Sequence, residues 1–148
     1  MATAETSRLD DGTMVRALTG MVRVMFPHPS FPDAPYERCA QTILDASGSD
    51  VRLRAQLEQG LRDLDVIGGA PFAELAPEQA LELLRSISGT TFFGAVRAQV
   101  ITSLYDDREV WELLGYEGPS HDQGGYLNRG FDDLDWLPDP KIEKEAGA

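Results

Sequence analysis

A chain of 148 residues, 42% hydrophobic and 26% charged, has the length and composition of one globular domain with a real core. Thirteen Lys and Arg against 25 Asp and Glu leave a formal net charge of −12. That balance excludes nucleic-acid backbones and anionic membrane surfaces as partners, since both require clustered cations.

Residues 1–12 are small and polar and are expected to form a flexible N-terminus, with the Asp10-Asp11 pair as charges at a helix start. A helical domain is expected over 13–114. Thr13 is the predicted N-cap of the first helix, in which Met14, Leu18, Met21 and Met25 recur at spacings of 4, 3 and 4. Pro27-His28-Pro29 ends it, because Pro27 forces Phe26 out of the helical region, and Phe31, Pro32 and Pro35 extend a rigid connector. Pro35 suits the first turn of a second helix with Tyr36, Cys39, Ala40, Ile43 and Leu44 inward and Ser47-Gly48 as its stop. Cys39 is the only cysteine, which rules out an intrachain disulfide, favours a cytosolic setting and reads as a buried small hydrophobe.

Ser49 or Asp50 caps a third helix with a Leu53, Leu57, Leu61, Leu64 seam, stopped by Gly68-Gly69. Gly60 weakens that helix by about 1 kcal/mol relative to alanine and marks a close packing contact. Pro77 and Glu78 open a fourth helix with Ala80, Leu81, Leu84 and Ile87 on one side, closed by Gly89. A fifth runs from Thr91 to Leu104 on a stripe of Phe93, Val96, Val100 and Leu104, widened by Phe92. A short sixth spans Asp107 to Leu114, with Val110, Trp111 and Leu114 held in it and Gly115 as a left-handed C-cap. No run alternates long enough for a convincing strand, and no repeat period is visible. The predicted fold is all-α: a bundle of five to six helices followed by an extended Gly/Pro/aromatic C-terminal arm.

That arm, residues 115–138, carries Gly115, Gly118, Pro119, Gly124, Gly125 and Gly130, yet also Tyr116, Tyr126, Leu127, Phe131 and Trp136. A solvated loop has little use for five large apolar groups, so the segment reads as lying against a surface. Residues 139–148 are expected to form a disordered acidic tail. From Tyr105 onward the chain holds 12 acidic and 4 basic residues. This excess is either a solvated region that aids solubility or a patch complementary to a basic partner.

Catalytic patterns are missing from the sequence. His28 and His121 sit among prolines or glycines without carboxylates at ligand spacing, and Asp132-Asp133-Leu134-Asp135 lacks the ligand alternation of a calcium loop. Gly124-Gly125 has neither the preceding strand nor the following Lys-Ser/Thr of a phosphate loop, and no serine sits in a nucleophile elbow. No catalytic, cofactor-binding or metal-binding residue is assigned. The aromatic set Trp111, Tyr116, Tyr126, Phe131 and Trp136 is either an internal lid or a row of interface anchors. Glycine spacing, which lets an arm follow an irregular surface, favours the second. The assigned partner-binding residues are Trp111, Tyr116, Pro119, Tyr126, Leu127, Phe131 and Trp136. The apolar stretch from Met14 to Phe26 is broken by Arg16 and Arg23, no Arg-Arg pair occurs, and no run suits a transmembrane helix. A cytoplasmic location is therefore expected, or a periplasmic one if a leader was removed.

Thr91-Phe92-Phe93, Tyr105-Asp106-Asp107, Val110-Trp111, Leu114-Gly115-Tyr116, Gly118-Pro119 and Gly124-Gly125-Tyr126, with the late Trp136, resemble the small-subunit family named after the third (gamma) subunit of gluconate 2-dehydrogenase. The resemblance covers residues 77–136, and the N-terminal helices only in character. It implies a helical accessory subunit, not itself an enzyme, that supports folding, assembly or stability of a large FAD-containing flavoprotein of the glucose–methanol–choline (GMC) oxidoreductase type. That partner oxidises a sugar or alcohol hydroxyl, and some complexes pass electrons to a cytochrome subunit. Many family members carry a twin-arginine signal; this chain has none, so the expected complex works in the cytoplasm. Two other readings stay open: a free scaffolding or regulatory helical domain that uses its acidic C-terminal region, and a metal-dependent enzyme built on His121, Asp132, Asp133 and Asp135.

Overall fold

The computed structural model describes residues 9–125 and residue 127. The chain divides into two compact units, Met1–Tyr116 and Glu117–Ala148. Among the described residues there are six α-helices and no strand, the all-α class expected: α1 Asp11–Met25, α2 Asp33–Ser49, α3 Val51–Gly68, α4 Pro77–Ser86, α5 Thr91–Leu104 and α6 Arg108–Leu114. All six belong to the first unit.

Local chemistry sets most helix ends. Asp10, not Thr13, caps α1: its carboxylate accepts from the Thr13 backbone N–H (2.9 Å) and hydroxyl (2.6 Å), so the helix starts earlier than expected. The second helix also starts early, at Asp33, because Pro35 tolerates any position of a first turn whose N–H groups have no intrahelical acceptor. Its expected stop fails as well: Gly48 stays helical and α2 runs to Ser49. Asp50 then caps α3 through the N–H groups of Arg52 and Leu53, each at 3.0 Å. Gly69, at φ 72°, ends α3 in the left-handed region that glycine enters without steric cost. A 3-10 turn, Phe72–Glu74, was not foreseen; it buries Phe72 and is tied to α3 where the Phe72 N–H donates to Asp65 at 2.8 Å.

One apolar cluster runs through the first unit. Met14, Leu18, Met21 and Val22 of α1 meet Tyr36, Cys39, Ala40, Ile43 and Leu44 of α2, with Leu57, Leu61 and Leu64 of α3 and Val96, Val100 and Leu104 of α5. Helix α1 packs against α2 and α4, α2 against α5, and α3 against α2, α4 and α5. Two stripes differ from expectation, by an exchange of Leu83 for Leu81 in α4 and by one residue in α5. In α4 Leu83 is buried and Leu81 is 38% exposed; in α5 Phe92 enters the core and Phe93 is half-buried. Phe92 moves inward because α3 offers it Gly60, whose missing side chain leaves room for the ring.

The Pro27-His28-Pro29 connector is fastened by aromatic groups. The Tyr36 hydroxyl donates to the Phe26 carbonyl at 2.9 Å and accepts from the His28 N–H at 3.1 Å. The His28 ring stacks on Phe31 at 4.2 Å, and its Nε2 lies 2.9 Å from the Tyr105 hydroxyl. Arg23 sits over the Tyr36 ring and pairs with Asp33. This histidine is a structural group within an aromatic cluster.

Candidate partner-binding surface

Helix α6 is placed by charge and by packing together. Asp107, its N-cap, accepts from the Glu109 and Val110 N–H groups at 2.9 and 3.4 Å. Across the bundle Arg38 of α2 grips the same carboxylate through Nε (2.7 Å) and Nη2 (3.0 Å), and Glu109 through Nη2 (2.6 Å). The hydrogen bond from Arg38 holds the Asp107 carboxyl below the usual carboxylate range and, with Glu109, pushes the Arg38 guanidinium up. Val110 then plugs fully into the core.

The end of α6 explains the Trp-x-x-Leu-Gly-Tyr spacing. Gly115 takes φ 71°, its N–H donates to the Glu112 carbonyl at 3.2 Å, and the Tyr116 N–H donates to the Trp111 carbonyl at 2.8 Å. This pair of bonds is a Schellman motif, which favours an apolar contact between the first and last residues of the turn. Trp111 and Tyr116 supply it, edge to face at 5.3 Å and 82°. The Trp111 indole N–H also donates to the Tyr105 carbonyl at 2.6 Å. Trp111 is thus a half-buried strut, and it presents Tyr116, which is 48% exposed.

Beside Tyr116 the same turn exposes Leu113 and Leu114, the latter 51% exposed instead of held inward. Leu113 was not singled out from the sequence, since a seven-residue helix is too short for its stripe to be unique. Leu113, Leu114 and Tyr116 make an apolar patch on the last turn of the first unit.

In the second unit, Gly118, Gly124 and Gly125 have φ of 92°, 82° and 64°. The Gly125 N–H donates to the Ser120 carbonyl at 2.9 Å, closing the 3-10 turn His121–Gln123. Pro119 and Leu127 are exposed. Of the other assigned residues, Tyr126, Phe131 and Trp136 lie outside the described residues, as does the 139–148 tail.

Other reactive groups offer little chemistry. Cys39 is buried, its Sγ 3.1 Å from the Ser103 hydroxyl, and burial pushes its thiol up, away from the thiolate a nucleophile needs. His121 is fully exposed and lies 3.4 Å from Asp122. Among the described residues no group of three His, Cys, Asp or Glu side chains could hold a metal, and no helix is long and apolar enough to cross a membrane. Asp132, Asp133 and Asp135 lie outside the described residues. Comparison with known protein families, curated proteins and solved structures yielded no match.

Proposed function

We propose that this chain is a non-catalytic helical subunit that binds and stabilises a large FAD-dependent GMC-type sugar or alcohol dehydrogenase or oxidase, in a hetero-oligomer located in the cytoplasm. The observation that carries the reading is the Leu114-Gly115-Tyr116 cap. It belongs to the run resembling the gluconate 2-dehydrogenase small subunits, and it leaves Leu113, Leu114 and Tyr116 exposed. An apolar patch with a rigidly seated aromatic residue is the kind of surface that supplies interface hot spots.

The flavin belongs to the partner in this proposal. The described residues offer no strand and glycine loop to receive a pyrophosphate, and no step of flavin chemistry is assigned to them. The subunit acts by mass action: a partner that binds the folded flavoprotein and not its unfolded chain raises the flavoprotein's stability. A cytochrome subunit is compatible with such a complex as an electron acceptor.

The test is co-expression with a GMC-type flavoprotein encoded beside this chain, affinity capture through this chain, and a visible absorption spectrum of the eluate. A yellow complex is expected, with Leu114→Ala, Tyr116→Ala, Tyr126→Ala or Trp136→Ala each loosening it by about 2 kcal/mol where the residue is a hot spot. A colourless lone chain, or a complex indifferent to all four substitutions, overturns the proposal.

A further inference from the structure

A cavity of about 370 Å³ opens between the last turn of α1, the outer face of α4 and the first half of α5. Its walls include Val24, Phe26, Leu81 and Phe93, and Arg85 and Arg97 stand among the lining groups. No carboxylate lines it. The volume is within the range of small-molecule sites, and an apolar cleft with a few polar groups is their usual composition.

Two features separate this cleft from ordinary surface roughness. Leu81 and Phe93 border the buried faces of α4 and α5 and remain partly open, lining this cleft while Leu83 and Phe92 fill the core. The second feature is charge. Arg23, Arg38, Arg54 and Arg62 each pair with a carboxylate, whereas Arg85 and Arg97, like Arg16, Arg52 and Arg108, make no ion pair or side-chain hydrogen bond among the described residues; what sets Arg85 and Arg97 apart is that both line one cavity with no carboxylate in its walls. In a chain of net charge −12, two unpaired guanidiniums beside one apolar cleft are complementary to an anion with an apolar body. Arginine's planar fork matches a carboxylate in particular. A second cavity of about 380 Å³, toward Phe72 and Pro77, shares Val24 and Leu81 with the first and extends the apolar path.

We infer that the α1–α4–α5 cleft is a binding site for an amphiphilic monocarboxylate, its chain lying over Leu81 and Phe93 and its carboxylate held by Arg85 and Arg97. The site stands apart from the α6 patch and does not depend on the flavoprotein proposal.

The experiment is a backbone amide NMR titration of the full chain with decanoate below its micelle concentration, with decanol as the uncharged control. Saturable shifts confined to residues around Val24–Phe26, Leu81–Ser88 and Phe93–Arg97 are expected, with decanol binding more weakly. Arg85→Gln and Arg97→Gln, both exposed positions, each weaken decanoate by about tenfold, the scale of a lost charged hydrogen bond, and leave decanol unaffected. The inference is overturned by unsaturable shifts spread over the surface, by equal affinity for decanol, or by undiminished decanoate binding in the double variant. It is overturned equally if an acidic apolar peptide binds the cleft more tightly than decanoate, which would make the site a peptide groove.

Discussion

Replacing Gly60 by alanine tests the packing logic of the bundle at one point. A methyl group built there lies 2.2 Å from Cγ and Cδ2 of Phe92 and 2.6 Å from Cδ1, against 3.4 Å for the start of ordinary contact. The ring must therefore retreat by roughly 1.2 Å, or α3 and α5 must part by as much. Phe92 is buried, and the space beside it is a cavity of about 120 Å³ that it lines together with Gly60, so the ring retreats only by giving up core contacts. Overpacking of this kind costs about 1–3 kcal/mol, and alanine returns about 1 kcal/mol of helix propensity. Because the clash is with ring atoms close to the backbone, the cost is expected at the upper end, for a net loss of about 1–2 kcal/mol. Urea and thermal unfolding followed by far-ultraviolet circular dichroism measure it, with Tm falling on the order of 4–8 °C. Gly94→Ala is the internal control: it lies in α5 with nothing within 4 Å of the added methyl, and should gain up to about 1 kcal/mol. Phe92→Leu should cost less in the Gly60→Ala background than alone, since the smaller side chain relieves the clash. A Gly60→Ala protein as stable as the parent would refute the account of how α3 and α5 meet.

Tyr36→Phe removes a buried hydroxyl that serves two backbone groups, the Phe26 carbonyl and the His28 N–H. A loss of about 1–3 kcal/mol is expected, with faster hydrogen exchange at the His28 amide; parental stability and exchange would contradict it. Asp107→Asn keeps a capping oxygen but discharges the partner of Arg38, and should cost about 1 kcal/mol near neutrality, because Arg38 is half exposed. The folded-state carboxyl is depressed, so its stabilisation is present above the unfolded value near pH 4 and is lost as pH falls through the lower folded value. The stability gap between parent and variant should thus stay level from pH 7 to 5 and close below 4; a gap that widens in acid would show that the ion pair is not its source.

What was legible in the sequence was what neighbours along the chain decide. The extent of α5, the glycine stops at Gly69 and Gly115 and an α3 cap at Ser49 or Asp50, which the structure gives to Asp50, rest on interactions within four residues; Asp107, expected as the first residue of α6, is its N-cap, one position earlier. Gly60 also announced a close contact, since a glycine inside a helix is costly unless space demands it. The same spacing put Leu81 and Phe93 on the inward stripes, where the structure buries Leu83 and Phe92 instead. An apolar stripe is about 100° wide, and the adjacent Phe92 and Phe93 fall on its two edges, so the position of the facing helix chooses between them; Leu81 and Leu83 lie on opposite sides of the Ala80–Leu84 line, and the facing helices cover the Leu83 side.

The candidate surface divides in the same way. The Leu-Gly-Tyr spacing and the aromatic arm could be read as residues, but that Trp111 braces Tyr116 while Leu113 and Leu114 face outward depended on how α6 docks. That docking is held by Arg38, 69 positions from Asp107 in the chain. The arginine pair beside the α1–α4–α5 cleft is of the same kind. Local sequence determined the helices and their ends because backbone hydrogen bonds and caps are satisfied within a turn. Periodicity also named most of the buried groups, among them Met14, Leu18 and Met21 of α1 and Tyr36, Cys39, Ala40, Ile43 and Leu44 of α2. Tertiary structure alone decided which apolar groups at the stripe margins stayed open and which charges found distant partners, because these depend on groups that only the folded chain brings together.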